Sequence, residues 1–504
     1  MSAESATAPG AGQPARIPLR SREFLGPVTA IGGVALMAAM DGPVAVFALP
    51  TIQEDLGLSD TVRMWVITAY LLTFGGLILV GGRLGDTLGR RRTYIAGVAG
   101  FTIASAFCAV AWDGAALVGA RLLHGAAAAV VAPTCMALVA TTFPKGPARN
   151  AATAVLGATA SVGAVLGLVL GGVLTTVSWR LAFAVNVPLG LLVIHLARRT
   201  LRETGREPLR LDAAGAVLAT VACTAAVLAL SAGSEGGGLS RATIGWTALA
   251  VVTAVAFVLV ERTAVNPIVP LSLFADRSRL ATFAAMFLAR GVGFSLTVVI
   301  ALYVQNIMGF PPLTAGVAFV PFAVAMAIGT ALSAQLSTRF APRVLIVVGS
   351  AAVLAAMLWG STLTRGATYF PDLVVPMAIG AAGLGLINVP LGLSLIASVG
   401  VDRIGPTSAL AVMVQSLGGP LVLAAVQVVI TAETLRNGGA TGPVSALTET
   451  QLEALDTGYS HGLLALTVFV ALLGAVSLFM GYSARDVAHA QTNKTAYDYD
   501  HDGP

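Results

Sequence analysis

The sequence predicts an all-α membrane protein of fourteen transmembrane helices, and three observations carry that prediction. Hydrophobic residues make up 56% of the 504 positions and charged residues only 11%, against about 25% charged in a typical soluble domain. The mean hydropathy is +0.86, and the apolar residues gather into continuous runs of about 20, the length a helix needs to cross a bilayer. Between the runs, the 29 Lys and Arg alternate in density from one connection to the next, as topogenic charge does in a polytopic chain. Long, unbroken runs describe helices, since barrel strands alternate over about ten residues.

In chain order, residues 1–23 are rich in Ala, Pro and Gly, with Arg16, Arg20 and Arg22 near their end. They read as a disordered cytoplasmic tail, and the run that follows is too long for a signal peptide and contains Asp41. Six runs at 27–50, 62–82, 93–112, 114–138, 150–176 and 180–197 define a first bundle over 24–200. Two more at 212–232 and 242–261 form a linking pair within 201–262. The last six, at 279–303, 313–334, 343–363, 372–397, 406–431 and 459–482, define a second bundle over 263–483. The segment 484–504 is a polar tail ending in YDYDHDGP, also expected to be disordered.

An even number of crossings puts both termini on one side. Twenty-two of the basic residues fall on that side; Arg63, Arg180, Arg241, Arg365 and Arg436 fall on the other, and Arg121 and Arg290 lie inside runs. The bias places both termini in the cytoplasm. A weak internal repeat supports two blocks: GRLGDTLGRR (Gly82 to Arg91) and AQLSTRFAPR (Ala334 to Arg343) each follow the second run of a six-run block, as in parallel repeats.

Composition also excludes classes. Cys108, Cys135 and Cys223 sit in separate apolar runs, an odd count that suits neither a disulfide framework nor a metal site. The basic residues are scattered rather than clustered on one face, so no nucleic-acid partner is expected. The only lysines, Lys145 and Lys494, follow no P-loop, and no nucleophile elbow is present. The expectation is a non-enzyme with no cofactor and no metal.

The segment GGRLGDTLGRRR (Gly81 to Arg92) is the most informative short stretch. Gly82, Gly85 and Gly89 allow a tight turn and close helix approach, and Asp86, in a loop that also holds Arg90 and Arg91, can pair with an arginine or cap a helix N-terminus. It resembles the cytoplasmic signature loop of the major facilitator superfamily, which implies a role as a gate latch. MDGPVAVFALP (Met40 to Pro50) looks like the first-helix aspartate motif of the fourteen-helix drug:proton antiporters, with Pro43 and Val46 at positions often held by Thr and Asn. RLLHG (Arg121 to Gly125) resembles the fourth-helix motif, with His124 where Gln is usual. GAVLGLVLGG (Gly163 to Gly172) resembles the fifth-helix motif, with Leu168 replacing a proline. WRLAFAVNVPLG (Trp179 to Gly190), LDAAG (Leu211 to Gly215), YVQNIMGFPPLTAG (Tyr303 to Gly316) and QSLGGP (Gln415 to Pro420) extend the likeness over about 25–482. MWVITAYLLTFGG (Met64 to Gly76) and TTFPKGPARNAATAV (Thr141 to Val155) look like the EfpA type of actinobacterial efflux protein. The resemblance implies a major facilitator fold in the bacterial inner membrane, with two six-helix bundles and two linking helices. It also implies proton-coupled export of lipophilic or cationic compounds by alternating access.

Four charged or titratable residues stand out inside the runs. Asp41 must face the bundle interior, because a carboxylate left toward lipid costs at least about 2.5–3.5 kcal/mol; it suits proton coupling or substrate-cation binding, the alternative being a structural ion pair. Arg121 stays charged at any relevant pH and can hold an anion such as Asp41. His124, three residues on, shares its helix face and titrates near neutrality, although packing is the commoner role for such a histidine. Arg290 lies at about the depth of Asp41 in the matching helix of the second bundle and can face a central cavity or snorkel to the interface. Gly163, Gly167 and Gly171, next to Gly172, form a small-residue stripe for close packing. Gln305, Asn388 and Gln415 are cavity hydrogen-bonders or interhelical glue. The expected partners are membrane lipids, a lipophilic or amphiphilic small molecule, and protons. Export or flipping of lipids, and a non-transporting sensor, remain as other readings.

Overall fold

A computed structural model describes residues 18–144, 146–203, 213–235, 240–263, 276–399 and 404–483. Residues 1–17 and 484–504 of the two tails, and Leu211 and Asp212 of the LDAAG stretch, lie outside the described residues, whereas a helix already begins at Arg22, within the stretch 1–23 expected to be a disordered tail. Sixteen α-helices account for the described fold. The first bundle holds α1 (Arg22–Leu56), α2 (Asp60–Leu88), α3 (Arg90–Ala109), α4 (Gly114–Thr142), α5 (Pro147–Val177), α6 (Trp179–Ala184) and α7 (Asn186–Thr200). The linking pair is α8 (Ala213–Glu235) and α9 (Arg241–Thr263). The second bundle holds α10 (Arg277–Asn306), α11 (Pro312–Ala318), α12 (Val320–Leu336), α13 (Pro342–Gly360), α14 (Val374–Ala397), α15 (Ile404–Arg436) and α16 (Glu449–Ser477).

Each expected run coincides with a helix or a broken helix pair. Eleven of these bodies are long and apolar enough to cross a membrane among the described residues. The runs at 93–112, 150–176 and 212–232 correspond to α3, α5 and α8, which are not among the eleven; α3 opens on Arg90, Arg91 and Arg92, and in the other two the fully described apolar stretches are Leu166–Val177 and Val217–Leu230. Two runs are broken in the middle. The run at 313–334 divides at Phe319, ahead of Pro321 in the first turn of α12, because Pro321 has no N–H to donate to the carbonyl four residues back and its ring crowds that carbonyl. The run at 180–197 divides at Val185.

Helix ends follow local chemistry. Ser21, Ser59, Asp113 and Asp276 each accept a backbone N–H in the first turn of α1, α2, α4 and α10, satisfying donors a helix start leaves free. α1 closes on Gly57 at φ 60, a left-handed cap that suits glycine. The final helix starts ten residues before the expected run at 459, because Thr448 and Gln451 form a reciprocal capping box. That polar first turn carries no apolar signal.

The two bundles are built alike. α2 and α11 start 252 residues apart, as do α3 and α13 (60 and 312, 90 and 342). In the first bundle α2 lies on α4 with the backbone of Gly81 against that of Ala129. In the second, Gly329 of α12 meets the Ala382 backbone of α14. Small residues at such crossings let helices approach closely where lipid supplies no hydrophobic drive. α8 packs on α9, and also on α2 and α15, at the seam between bundles.

The bundles meet at the middle and at the end poor in arginine. Gly75 faces Ser416 and Leu417, and Gly172 lies against the backbone of Pro312 and Leu313. Phe47 meets Phe319 edge-on with ring centroids 5.2 Å apart. At the extreme end the backbone N–H of Gly442 donates to Asp60 Oδ2 at 3.3 Å. Asp60 in turn accepts from Gln53 Nε2 (2.8 Å), and Arg63 Nη1 donates to Gln53 Oε1 (2.5 Å). Asn306 Nδ2 donates to the Tyr459 hydroxyl (3.0 Å). These polar contacts close the arginine-poor end over a central cavity of about 710 Å³.

Candidate substrate cavity and buried ion cluster

The N-terminal bundle buries one ion cluster beside the cavity. Gly125 lets α4 lie against the α2 backbone at Tyr70. One turn away, Arg121 Nε donates to the Val66 carbonyl at 2.8 Å. The same guanidinium donates through Nη1 to Asp41 Oδ2 of α1 at 2.7 Å. Arg121 is 1% exposed, Asp41 3% and His124 0%; all three are sealed from the cavity and from lipid. The guanidinium carbon also lies 4.6 Å from the Tyr70 ring centroid and 5.6 Å from that of Phe183, a cation–π contact of the kind that strengthens when desolvated.

His124 completes the cluster and its proton can be assigned from geometry. Arg121 Nη1 approaches His124 Nδ1 at 2.9 Å, and a guanidinium only donates, so Nδ1 accepts. Nε2 therefore carries the proton and donates to Ser105 Oγ of α3 at 3.0 Å. Nδ1 is also 3.5 Å from Asp41 Oδ1. A second proton on the ring would have to leave Arg121 and turn to that carboxylate. The ring is fixed by Phe101 at 3.9 Å and Tyr70 at 5.5 Å between centroids. The cluster thus ties α1, α2, α3 and α4 together.

The other expected residues are distributed as follows. Arg290 lines the central cavity, as do Asn388 and Gln415. Gln305 does not: its Nε2 donates to Ala301 O on its own helix at 3.2 Å, near the arginine-poor end, so it is corrected from a cavity group to a local one. Gly163, Gly167 and Gly171 put α5 against the α1 backbone at Leu36, Met40 and Val44, while Gly172 turns to α11 of the other bundle. α5 runs unbroken with no internal proline. The expected tight loop at Gly82 to Arg91 shrinks to one residue: α2 continues through Leu88, and only Gly89 leaves the helix, at φ 101. Gly82 and Gly85 sit within α2 facing Pro133 and Thr134 of α4, the close helix approach their size allows. Asp86 pairs with Arg90 at 2.8 Å, Arg91 Nη2 donates to Arg198 O at 2.8 Å, and the Arg91 N–H donates to Glu203.

Sequence reasoning missed Ser105, Tyr70 and the polar group at the arginine-poor end. Asp60 and Arg63 three apart on a helix carried a faint signal, but nothing in the string links them to Gly442. It also missed why the Trp179 motif exists: Trp179 Nε1 and Arg180 Nη1 both donate to Asp55 of α1, at 2.9 and 2.6 Å.

Two bundles of parallel repeats around a central cavity, joined by a helix pair and holding an intramembrane acid–base cluster, define a secondary transporter. The chain belongs to the major facilitator superfamily, whose model matches residues 31–423. It is 59% identical over 481 residues to "Uncharacterized MFS-type transporter EfpA" of Mycobacterium tuberculosis, covering 95% of this chain and 91% of that one. It is 35% identical to "Puromycin resistance protein pur8" of Streptomyces alboniger, covering 95% and 97%. Among solved structures it matches the unoccupied inward-facing form of a bacterial homologue of the human lysosomal transporter Spinster at TM-score 0.65 and 18% identity, over 93% and 98% of the two chains. The last likeness concerns the fold. The protein is therefore a multi-pass membrane transporter and not an enzyme.

Proposed function

We propose that this transporter exports lipophilic compounds across the bacterial inner membrane by alternating access, driven by protons flowing inward through the Asp41–Arg121–His124 cluster. The arginine-rich end and both termini face the cytoplasm, in accord with the distribution of basic residues. The cavity closed at the arginine-poor end is then the inward-facing state. The names of the relatives, one a resistance protein, support export.

The carrying observation is the 2.7 Å ion pair between Asp41 and Arg121 across two helices of the cavity wall. Protonating Asp41 removes the anion that holds Arg121 to α1, while the guanidinium keeps its bond to the α2 backbone. That change weakens the α1–α4 tie and frees α1 to move, which is how a proton biases two discrete packings. His124 is placed to relay that proton: its Nδ1 lies between guanidinium and carboxylate. The Asp86–Arg90 loop acts as a cytoplasmic latch, held to α7 and Glu203. Cations find no carboxylate on the cavity wall among the described residues, so lipophilicity is the shared substrate requirement.

The test is transport by purified protein in vesicles with an imposed pH gradient. Asp41→Asn keeps the shape of the side chain and removes its titration. The expected outcome is inserted protein whose gradient-driven export falls by about tenfold or more, equivalent to about 1.4 kcal/mol on the coupled step. Export that still follows the gradient at the wild-type rate would make Asp41 purely structural.

A further inference from the structure

We infer that Arg290 is an anion-selecting site and that the cavity takes lipophilic compounds bearing one acidic group, a carboxylate, sulfonate or phosphate. The inference rests on the transporter reading above and names the substrate class of that cavity.

Among the described residues lining the cavity, Arg290 carries the one charge. No ion pair or hydrogen bond engages it among the described residues, in contrast to Arg121, whose guanidinium has three partners. It sits on the cavity stripe of α10 with Met286, Gly293 and Thr297, one turn apart along the helix. Nearby polar groups are mostly spent: the Thr297 and Ser416 hydroxyls donate to carbonyls of their own helices. The amides of Asn388 and Gln415 also line the wall and can add donors to an anion held by Arg290.

The opposite wall is apolar. Ala38, Val46, Phe47, Leu71 and Phe74 of α1 and α2 face the cavity, and the lining as a whole includes seven aromatic rings, Phe47, Tyr70, Phe74, Phe101, Phe294, Phe319 and Phe322. The volume of about 710 Å³ suits a drug-sized molecule. A single molecule is thereby oriented, with its acid toward the C-terminal bundle and its lipophilic body against the N-terminal bundle.

Closure adds a consequence. While the cavity holds water, Arg290 is solvated. If the bundles close and the cavity dries, an unpaired guanidinium would be left in apolar surroundings, which is strongly unfavourable. A bound acid removes that obstacle, so occlusion becomes conditional on an anionic substrate, and an empty carrier is disfavoured from cycling.

The experiment measures binding of dansyl-labelled undecanoic acid, its uncharged amide and a cationic amine analogue to the full-length chain in phosphatidylcholine nanodiscs, without a pH gradient. The expected result is tightest binding of the acid, weakened about ten- to a hundredfold by Arg290→Ala, with the amide unchanged. Arg290→Lys should restore part of the difference. Retention of the acid's preference in Arg290→Ala, or tightest binding of the amine, would overturn the inference. Repeating the titration in phosphatidylglycerol nanodiscs separates the sources: Arg290-dependent competition by the anionic lipid would overturn the free acid as occupant in favour of a headgroup, and absence of competition supports the free acid. Because no gradient is used, the binding result does not depend on proton coupling, so failure of the export reading, seen in gradient-driven transport, and failure of this one are told apart.

Discussion

In the N-terminal bundle, Asp41 and Arg121 are buried against each other and against His124, whereas on the matching helix of the C-terminal bundle Arg290 stands in the cavity with no partner among the described residues. The helix plan is the same in both, with α2 and α11, and α3 and α13, each starting 252 residues apart. The difference teaches that repeat symmetry governs the backbone while the charges divide the labour. One bundle holds a neutral, internally satisfied cluster that can respond to a proton. The other presents a fixed charge that can respond to a substrate.

The largest test of that contrast is stability. Arg121→Ala leaves Asp41 buried without its cation, and breaking a buried pair from one side costs about 3–5 kcal/mol. Arg290→Ala removes no contact of that kind and should leave stability unchanged. Thermal unfolding of both variants in the same detergent checks this; an equal loss in both would erase the distinction between a sequestered and a displayed charge.

A second test concerns packing. In the N-terminal bundle three glycines of α5 face the α1 backbone, while the equivalent α10–α15 crossing uses Gly291 and Gly418, one from each helix. A Cβ at Gly167 would lie 2.7 Å from the Met40 carbonyl oxygen, so Gly167→Ala must push α5 from α1, one residue from Asp41. The expected loss is about 1–3 kcal/mol, with slower gradient-driven transport. Wild-type melting and wild-type transport in this variant would mean the crossing has slack.

The smallest effect is expected at the latch. Asp86 and Arg90 are about a third exposed, and such pairs contribute about 0–1 kcal/mol. The second bundle has Thr338 at the position 252 residues after Asp86 and does without the pair. Asp86→Asn should change stability by less than about 1 kcal/mol and slow transport severalfold, with ligand affinity in the cavity unaltered. A large drop in affinity would place the loop's influence inside the cavity instead.

The architecture was readable from the string because membrane-length apolar runs and topogenic arginines are local signals. Helix breaks were less so: the division at Phe319 has a proline as its cause, yet that proline sits in an otherwise uninterrupted apolar run. At the site, Asp41, Arg121 and His124 announced themselves as polar residues in apolar company. Ser105 and Tyr70 did not, since a serine or tyrosine in a helix is ordinary until the fold sets it beside an imidazole or a guanidinium. The seven cavity rings were hidden for a related reason. Aromatic residues are 6% of the chain, and only the folded arrangement gathers these seven, from both bundles, around one cavity. Gln305 misled because a polar side chain near the end of a long helix can bond to its own backbone.

The contact between Asp60 and the backbone N–H of Gly442 has an evolutionary side. A main-chain donor is supplied by any residue except proline, so the C-terminal partner of this closure cannot be lost by changing the chemistry of a side chain. Position 442 answers to shape alone, its φ of 126 favouring glycine. Asp60 has no such shelter, because every substitution there alters the acceptor. The selective exposure of this contact therefore falls unevenly, on one carboxylate of the N-terminal bundle, and residue 60 offers a short mutational path to changing how readily this end opens.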